Sequence, residues 1–159
     1  MNRIASVCVL LLAVGCASSY TPRQNTRDDL VSYVERAAAL LEREGPTSAC
    51  VAFHEPRWMA GDWYLFVNAE DDVLVCHPAR PDLVGQDQTQ LQDVNGVFLA
   101  REMAALANTP EGRGWVEYMW ARPGQTTPVR KSVYVVAVTA PDGKRYVVGS
   151  GGYEMDRNQ

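Results

Sequence analysis

The run Asp62-Trp63-Tyr64-Leu65-Phe66-Val67-Asn68, the polar residues Ala69-Glu70-Asp71-Asp72, and the run Val73-Leu74-Val75-Cys76-His77 decide the fold of this chain. Upstream, apolar residues recur at helical spacing. Here aromatic and branched residues take over and the period shortens toward two, with a turn between two short runs, which reads as an antiparallel hairpin. The spacing predicts strands over 62–68 and 73–77, and Pro78 and Pro81 break the second.

Toward the N-terminus, Thr26 with Asp29 three residues on has the form of a capping box. Asp28 and Asp29 suit the positive end of a helix, and Leu30, Val34, Ala37 and Leu41 follow at helical spacing. Gly45-Pro46 ends that helix, Thr47 to His54 forms a shorter second one, and 55–61 is a loop. Toward the C-terminus, 82–94 is a loop with at most one helical turn, and 97–108 (VFLAREMAALAN) is an amphipathic helix. Strands follow over 115–121, 130–140 and 145–153; 122–128 joins the first two and the turn Pro141-Asp142-Gly143 the last two. The order α-α-β-β-(loop, α)-β-β-β implies an α+β fold: a five-stranded, largely antiparallel sheet, helices on one face, and a crossover helix or loop.

A chain of 159 residues suits one domain with a core, and 47% hydrophobic with 21% charged residues is ordinary globular composition. Lys plus Arg is 15 against Asp plus Glu 19, a net charge of -4, with no basic run to track a phosphate backbone. Nucleic acid is excluded as a partner. Residues 1–15 read as a signal peptide: Arg3 supplies the charge, and Ile4 to Val14 is too short to span a bilayer. Leu12-Ala13-Val14-Gly15-Cys16 resembles a bacterial lipobox, which implies acylation of Cys16 and a periplasmic domain held on a membrane through its lipid; Ala17 favours the outer membrane. Residues 16–25 then form a tether, 26–154 the domain and 155–159 a tail. With Cys8 in the leader and Cys16 acylated, Cys50 and Cys76 are left as one disulfide or as two buried thiols, and the oxidising compartment favours the disulfide.

Several chemistries lack their residues. Two histidines, His54 and His77, with no CxxC or HExxH, cannot assemble a metal site with the thiols, and no cofactor motif is present. Gly149-Ser150-Gly151 lies inside a strand, unlike a nucleophile elbow. Cys76 and His77 are strand neighbours and point to opposite faces. Asp93-Val94-Asn95-Gly96 is a turn rather than a calcium loop, since the remaining ligands are absent. No enzyme is expected. What remains is a set of aromatics and cations on three strands, with Tyr64 and Phe66 on one face, Tyr118 and Trp120 on one face, and Lys131 opposite Ser132 and Tyr134.

At these residues the chain resembles the single Cache domain family, the PAS-like extracytoplasmic sensors of bacterial chemoreceptors and kinases. The resemblance runs through Gly61 to Val67, Cys76-His77-Pro78, Leu83-Val84-Gly85, Asp93 to Gly96, Gly114 to Trp120, Lys131 to Tyr134 and Val148 to Tyr153. It implies a long N-terminal helix leading into a PAS-like sheet, and a pocket between sheet and crossover for a small organic acid. Lys131 and Arg130 would meet the carboxylate, Tyr64, Tyr118 and Tyr134 would donate hydrogen bonds, and Trp58, Trp115 and Trp120 would wall the pocket. Because Lys131 and Tyr134 conflict in face, Lys131 and Tyr118 rank above Tyr134; His77 and Arg80 are second-rank candidates. Family members carry signalling modules after the last strand, whereas this sequence ends six residues after Tyr153, so a separate membrane signalling protein would have to receive the signal. The alternative is an envelope lipoprotein serving as a protein interaction module without a small ligand.

Overall fold

The computed structural model describes residues 26–59 and 61–155. The leader, Cys16, the tether and most of the tail lie outside the described residues. Helix α1 spans Arg27–Phe53, strands β1 and β2 span Phe66–Ala69 and Leu74–Cys76, and helix α2 spans Leu99–Ala107. Strands β3, β4 and β5 span Arg113–Ala121, Pro128–Thr139 and Arg145–Tyr153, and single 3-10 turns occupy Pro56–Trp58 and Pro81–Leu83. The strands form one antiparallel sheet in the order β2-β1-β5-β4-β3.

Helix α1 begins as its capping residues dictate. Thr26 Oγ1 accepts the Asp29 amide at 3.1 Å, with Asp28 and Asp29 in the first turn. Leu30, Tyr33, Val34, Ala37 and Leu41 are buried along one stripe. The expected break is present: Gly45 stands at φ 79, ψ 169, outside the helical region and left-handed in φ, and Pro46 opens the second segment, which ends at Phe53. Among the described residues no helix is long and apolar enough to cross a membrane.

Both faces of the sheet are covered, which corrects the expectation of helices on one face. The reason lies in β4, where Val133 and Val135 alternate with Tyr134 and Val136 and all four are buried. Tyr134, Val136, Trp63, Leu65, Val67 and Val148 pack under α1. Val133, Val135, Phe66, Val116, Tyr118 and Val147 pack under α2 and the crossover, with Leu99 and Met103. The crossover is fixed to β3 by Asp93, whose Oδ1 accepts the amides of Asn95 and Val97 and whose Oδ2 accepts that of Met119.

The hairpin forms later than predicted, since β1 starts at Phe66 rather than Asp62. Strand β5 pairs with β1 only from Phe66 onward, so Trp63 to Leu65 are buried in the core without belonging to a strand. The expected disulfide is not formed. Cys50, half-buried on α1, and Cys76, buried at the end of β2, are free thiols. They lie side by side, since the Cys76 thiol is held in its protonated form first by hydrogen bonding to Cys50 and then by burial. Cys50 Sγ also approaches the Val75 carbonyl oxygen at 3.7 Å.

Candidate functional site

Strand register builds the site around one cation. Tyr118 on β3 pairs with Lys131 on β4, and Lys131 pairs with Tyr153 on β5, so all three side chains share the α2 face. From the approach to β1, Tyr64 joins them: Lys131 Nζ donates to Tyr64 Oη at 2.7 Å and lies 4.1 Å from the centre of that ring. The Tyr153 ring is 5.1 Å from the same ammonium. Lys131 is 1% exposed. Room for its stem comes from Gly151, where a Cβ would stand 2.8 Å from Lys131 Cε and 2.7 Å from the Ser132 carbonyl oxygen.

Among the described residues no carboxylate lies within ion-pair distance of Lys131. Burial lowers its pKa from 10.5 to about 7, against the opposing pull of Asp62. Asp62 is itself paired with Arg122, which also holds Glu154 at 2.8 Å. Burial drives the Tyr64 and Tyr118 phenols far above their usual range, so both stay protonated. His77 packs against Tyr64 with ring centroids 4.8 Å apart, and burial followed by the positive charge of Lys131 brings its pKa down to about 3. The imidazole is therefore neutral.

Two cavities adjoin this cluster. An outer one of about 220 Å³ is lined by Tyr64, Arg80, Gln92, Trp120 and Arg122 among others. An inner one of about 40 Å³ lies under the crossover, lined by Phe66, Asn68, His77, Tyr118 and Met103 among others. Trp120 borders both and meets Tyr118 edge-on at 6.1 Å. Lys131 lines neither cavity, whereas Tyr64, its hydrogen-bond partner, lines the outer one. One of three ammonium donors is used by Tyr64, and the cluster is equipped to hold a small anion among protonated phenols.

The structure thus gathers Lys131, Tyr64, Tyr118, Trp120 and His77, with Arg80 at the rim, where it binds Asp82 through Nε and Nη2 and lies 5.9 Å from the Trp120 ring. It places four other candidates elsewhere: alternation turns Trp115, Arg130 and Tyr134 to the α1 side, and Trp58 closes the 3-10 turn that follows α1. Trp115 stacks under Arg27 at 3.7 Å and beside Tyr134. Tyr134 donates to Glu35. Trp58 packs on Phe53 and Tyr33. Arg130 donates to the Met155 carbonyl oxygen at 2.9 Å. Sequence reasoning missed Tyr153, Asp62, Arg122 and Asn68. Of these, Tyr153 was within reach, since counting outward from the turn at Asp142 pairs it with Lys131.

A long helix over one face, a crossover over the other and a buried cation among phenols define a PAS-like ligand-binding domain. The chain belongs to the Cache domain family, whose profile matches residues 31–159. Over 120 residues, 76% of this chain, it is 32% identical to the methyl-accepting chemotaxis protein McpP of Pseudomonas putida, of whose length it spans 21%. A solved periplasmic sensor domain of a chemotaxis protein superposes with TM-score 0.63 at 32% identity, covering 80% of this chain and 89% of that one. A Cache chemosensory domain, solved to give the structural basis of its carboxylic acid recognition, superposes with TM-score 0.64 at 27% identity, covering 80% and 92%. The family is one of sensory, ligand-binding domains rather than enzymes.

Proposed function

We propose that this chain is an extracytoplasmic module that binds a short-chain carboxylate at Lys131, held on a membrane surface by lipid on Cys16 and working with a separate signalling protein. The observation that carries the binding site is Lys131 itself, a fully buried amine whose one hydrogen-bond partner among the described residues is a neutral phenol. Burying such a group costs stability unless an anion meets it, and nothing in the fold requires a cation there. A carboxylate would take the remaining ammonium donors, with the phenols of Tyr64 and Tyr118 as neutral donors beside them. The carboxylic acid recognition of the similar Cache domain supports this class of ligand.

The test is thermal melting with acetate, propionate, lactate and pyruvate, each against its neutral amide. At least one acid should raise the melting temperature, by an amount equivalent to about 2.7 kcal/mol at one hundred times Kd. Lys131→Met should remove that response while leaving the ligand-free melting temperature equal or higher, since it replaces a buried amine with an apolar side chain of similar length. A Lys131→Met variant that responds like wild type would overturn the assignment.

A further inference from the structure

A separate recess lies on the α1 side of the sheet, away from Lys131. Beyond the bend at Gly45 the second segment of α1 ends at Phe53, and the turn Pro56–Trp58 brings the chain back against the first segment, where Tyr33 Oη donates to the Trp58 carbonyl oxygen at 2.5 Å. These elements enclose a cavity of about 530 Å³. Leu40, Ala52 and Trp58 form its apolar lining, and the Trp58 ring is held by those of Phe53 and Tyr33 at 5.4 and 5.8 Å. Arg36 and Arg43 from α1 and Arg57 from the turn line it as well, so a chain of net charge -4 gathers three guanidinium groups in one recess.

The carboxylates nearby do not account for that gathering. Glu44 lines the cavity and meets Arg43 at 2.8 Å, and Glu55 meets Arg57 at 2.8 Å. Both are exposed pairs between close neighbours in sequence, and such pairs contribute little, so a better-matched anion can compete for each guanidinium. Glu44 aside, the polar groups of the lining only donate. A guanidinium has no acceptor, nor has the indole of Trp58, whose Nε1 is buried without a hydrogen-bond partner among the described residues.

Donors without acceptors call for an oxyanion. A phosphate suits three guanidinium forks better than a carboxylate does, because it brings three strong acceptor oxygens and close to two charges. The volume lies in the range of roughly 300–1,000 Å³ usual for small-molecule pockets, and the apolar lining has no use for a bare ion. We propose that this recess is a second binding site, for an organic phosphate: Arg36, Arg43 and Arg57 hold the phosphate, and an apolar or aromatic body packs on Trp58, Leu40 and Ala52. The sheet separates it from Lys131, so the two sites can be filled together.

Calorimetric titration of the Cys16→Ser protein with phenyl phosphate, inorganic phosphate, phenol and dihexanoyl phosphatidylglycerol below its micelle-forming concentration tests this. Phenyl phosphate or the short-chain lipid should bind at least about tenfold more tightly than inorganic phosphate or phenol, since only they present both head and body. The tighter of the two tells whether the phosphate comes from a soluble molecule or from a lipid headgroup, and either keeps the site. Arg43→Gln combined with Arg57→Gln alters only exposed side chains, so the ligand-free melting temperature should stay unchanged while affinity falls about tenfold or more. Lys131→Met should leave phosphate binding as in wild type. Absence of binding by both organic phosphates, binding that survives the double substitution, or binding lost with Lys131→Met would overturn the proposal, and none of these would touch the carboxylate site.

Discussion

At the scale of single residues, Lys131 makes the site sensitive to pH in a direction that follows from its surroundings. Between about pH 7 and pH 10.5 the unfolded chain keeps a proton on this amine that the folded protein has released. Unfolding therefore takes up a proton, and the stability of the ligand-free protein rises with pH across that window. His77 adds the same sign lower down, between about pH 3 and pH 6.5. A bound carboxylate opposes this by favouring the ammonium form, so acid binding should weaken by up to about tenfold per pH unit above pH 7. Calorimetric affinities from about pH 6 to pH 9 in wild type would show the slope, and melting of wild type minus Lys131→Met would isolate the stability term. A flat affinity profile would mean that the amine does not meet the ligand. Lys131, Tyr118, Tyr64 and His77, which the structure brings together, were named through the family resemblance; alternation separated Lys131 from Tyr134, but it says nothing of Tyr64 and His77, which lie outside the strands. Trp115, Tyr134 and Arg130 were misassigned because their strands carry large or charged residues on both faces, so residue type did not reveal which side held the pocket.

At the scale of elements, the helix and strand identities were legible wherever a local signal existed. The Thr26 cap, the Gly45 break and the turn at Asp142 all act within a few residues. The start of β1 was not legible, because whether Trp63 to Leu65 join a ladder depends on where distant β5 begins to pair. Nor was the placement of α2 opposite α1, which depends on how the sheet divides its apolar residues between two faces. One contact between elements has a measurable outcome. Cys50 and Cys76 bring the second segment of α1 against the end of β2, so treatment with a small-molecule disulfide should link them with release of two thiols of the reagent. Non-reducing peptide mapping should recover the pair. The loop closed is of about 25 residues, so the cross-link should add roughly 3 kcal/mol to stability. Two thiols that remain free under sustained oxidation would show that they cannot reach bonding distance.

At the scale of the whole molecule, the lipid anchor proposed at Cys16 is separable from the proposed binding site. Cys16→Ser should move the protein from the membrane fraction to the soluble one and remove the acylated N-terminal mass, while the acid response of the domain stays unchanged. If fractionation is unaffected by the substitution, lipid on Cys16 is not what holds it.

The sheet order carries a consequence for how the chain reaches its folded state. Strand β5, last in sequence, lies between β1 and β4 in the middle of the sheet. Without it the strands fall into two separate hairpins, β1 with β2 and β3 with β4, and an isolated two-stranded hairpin is at best marginally stable in water. A polypeptide emerging N-terminus first thus has no sheet to complete until its final strand arrives, and the pairing of β1 with β5 must close a loop of most of the domain. Such a chain commits to its structure only once its last strand is free to pair, so a ribosome-bound chain lacking β5 should show no protected sheet.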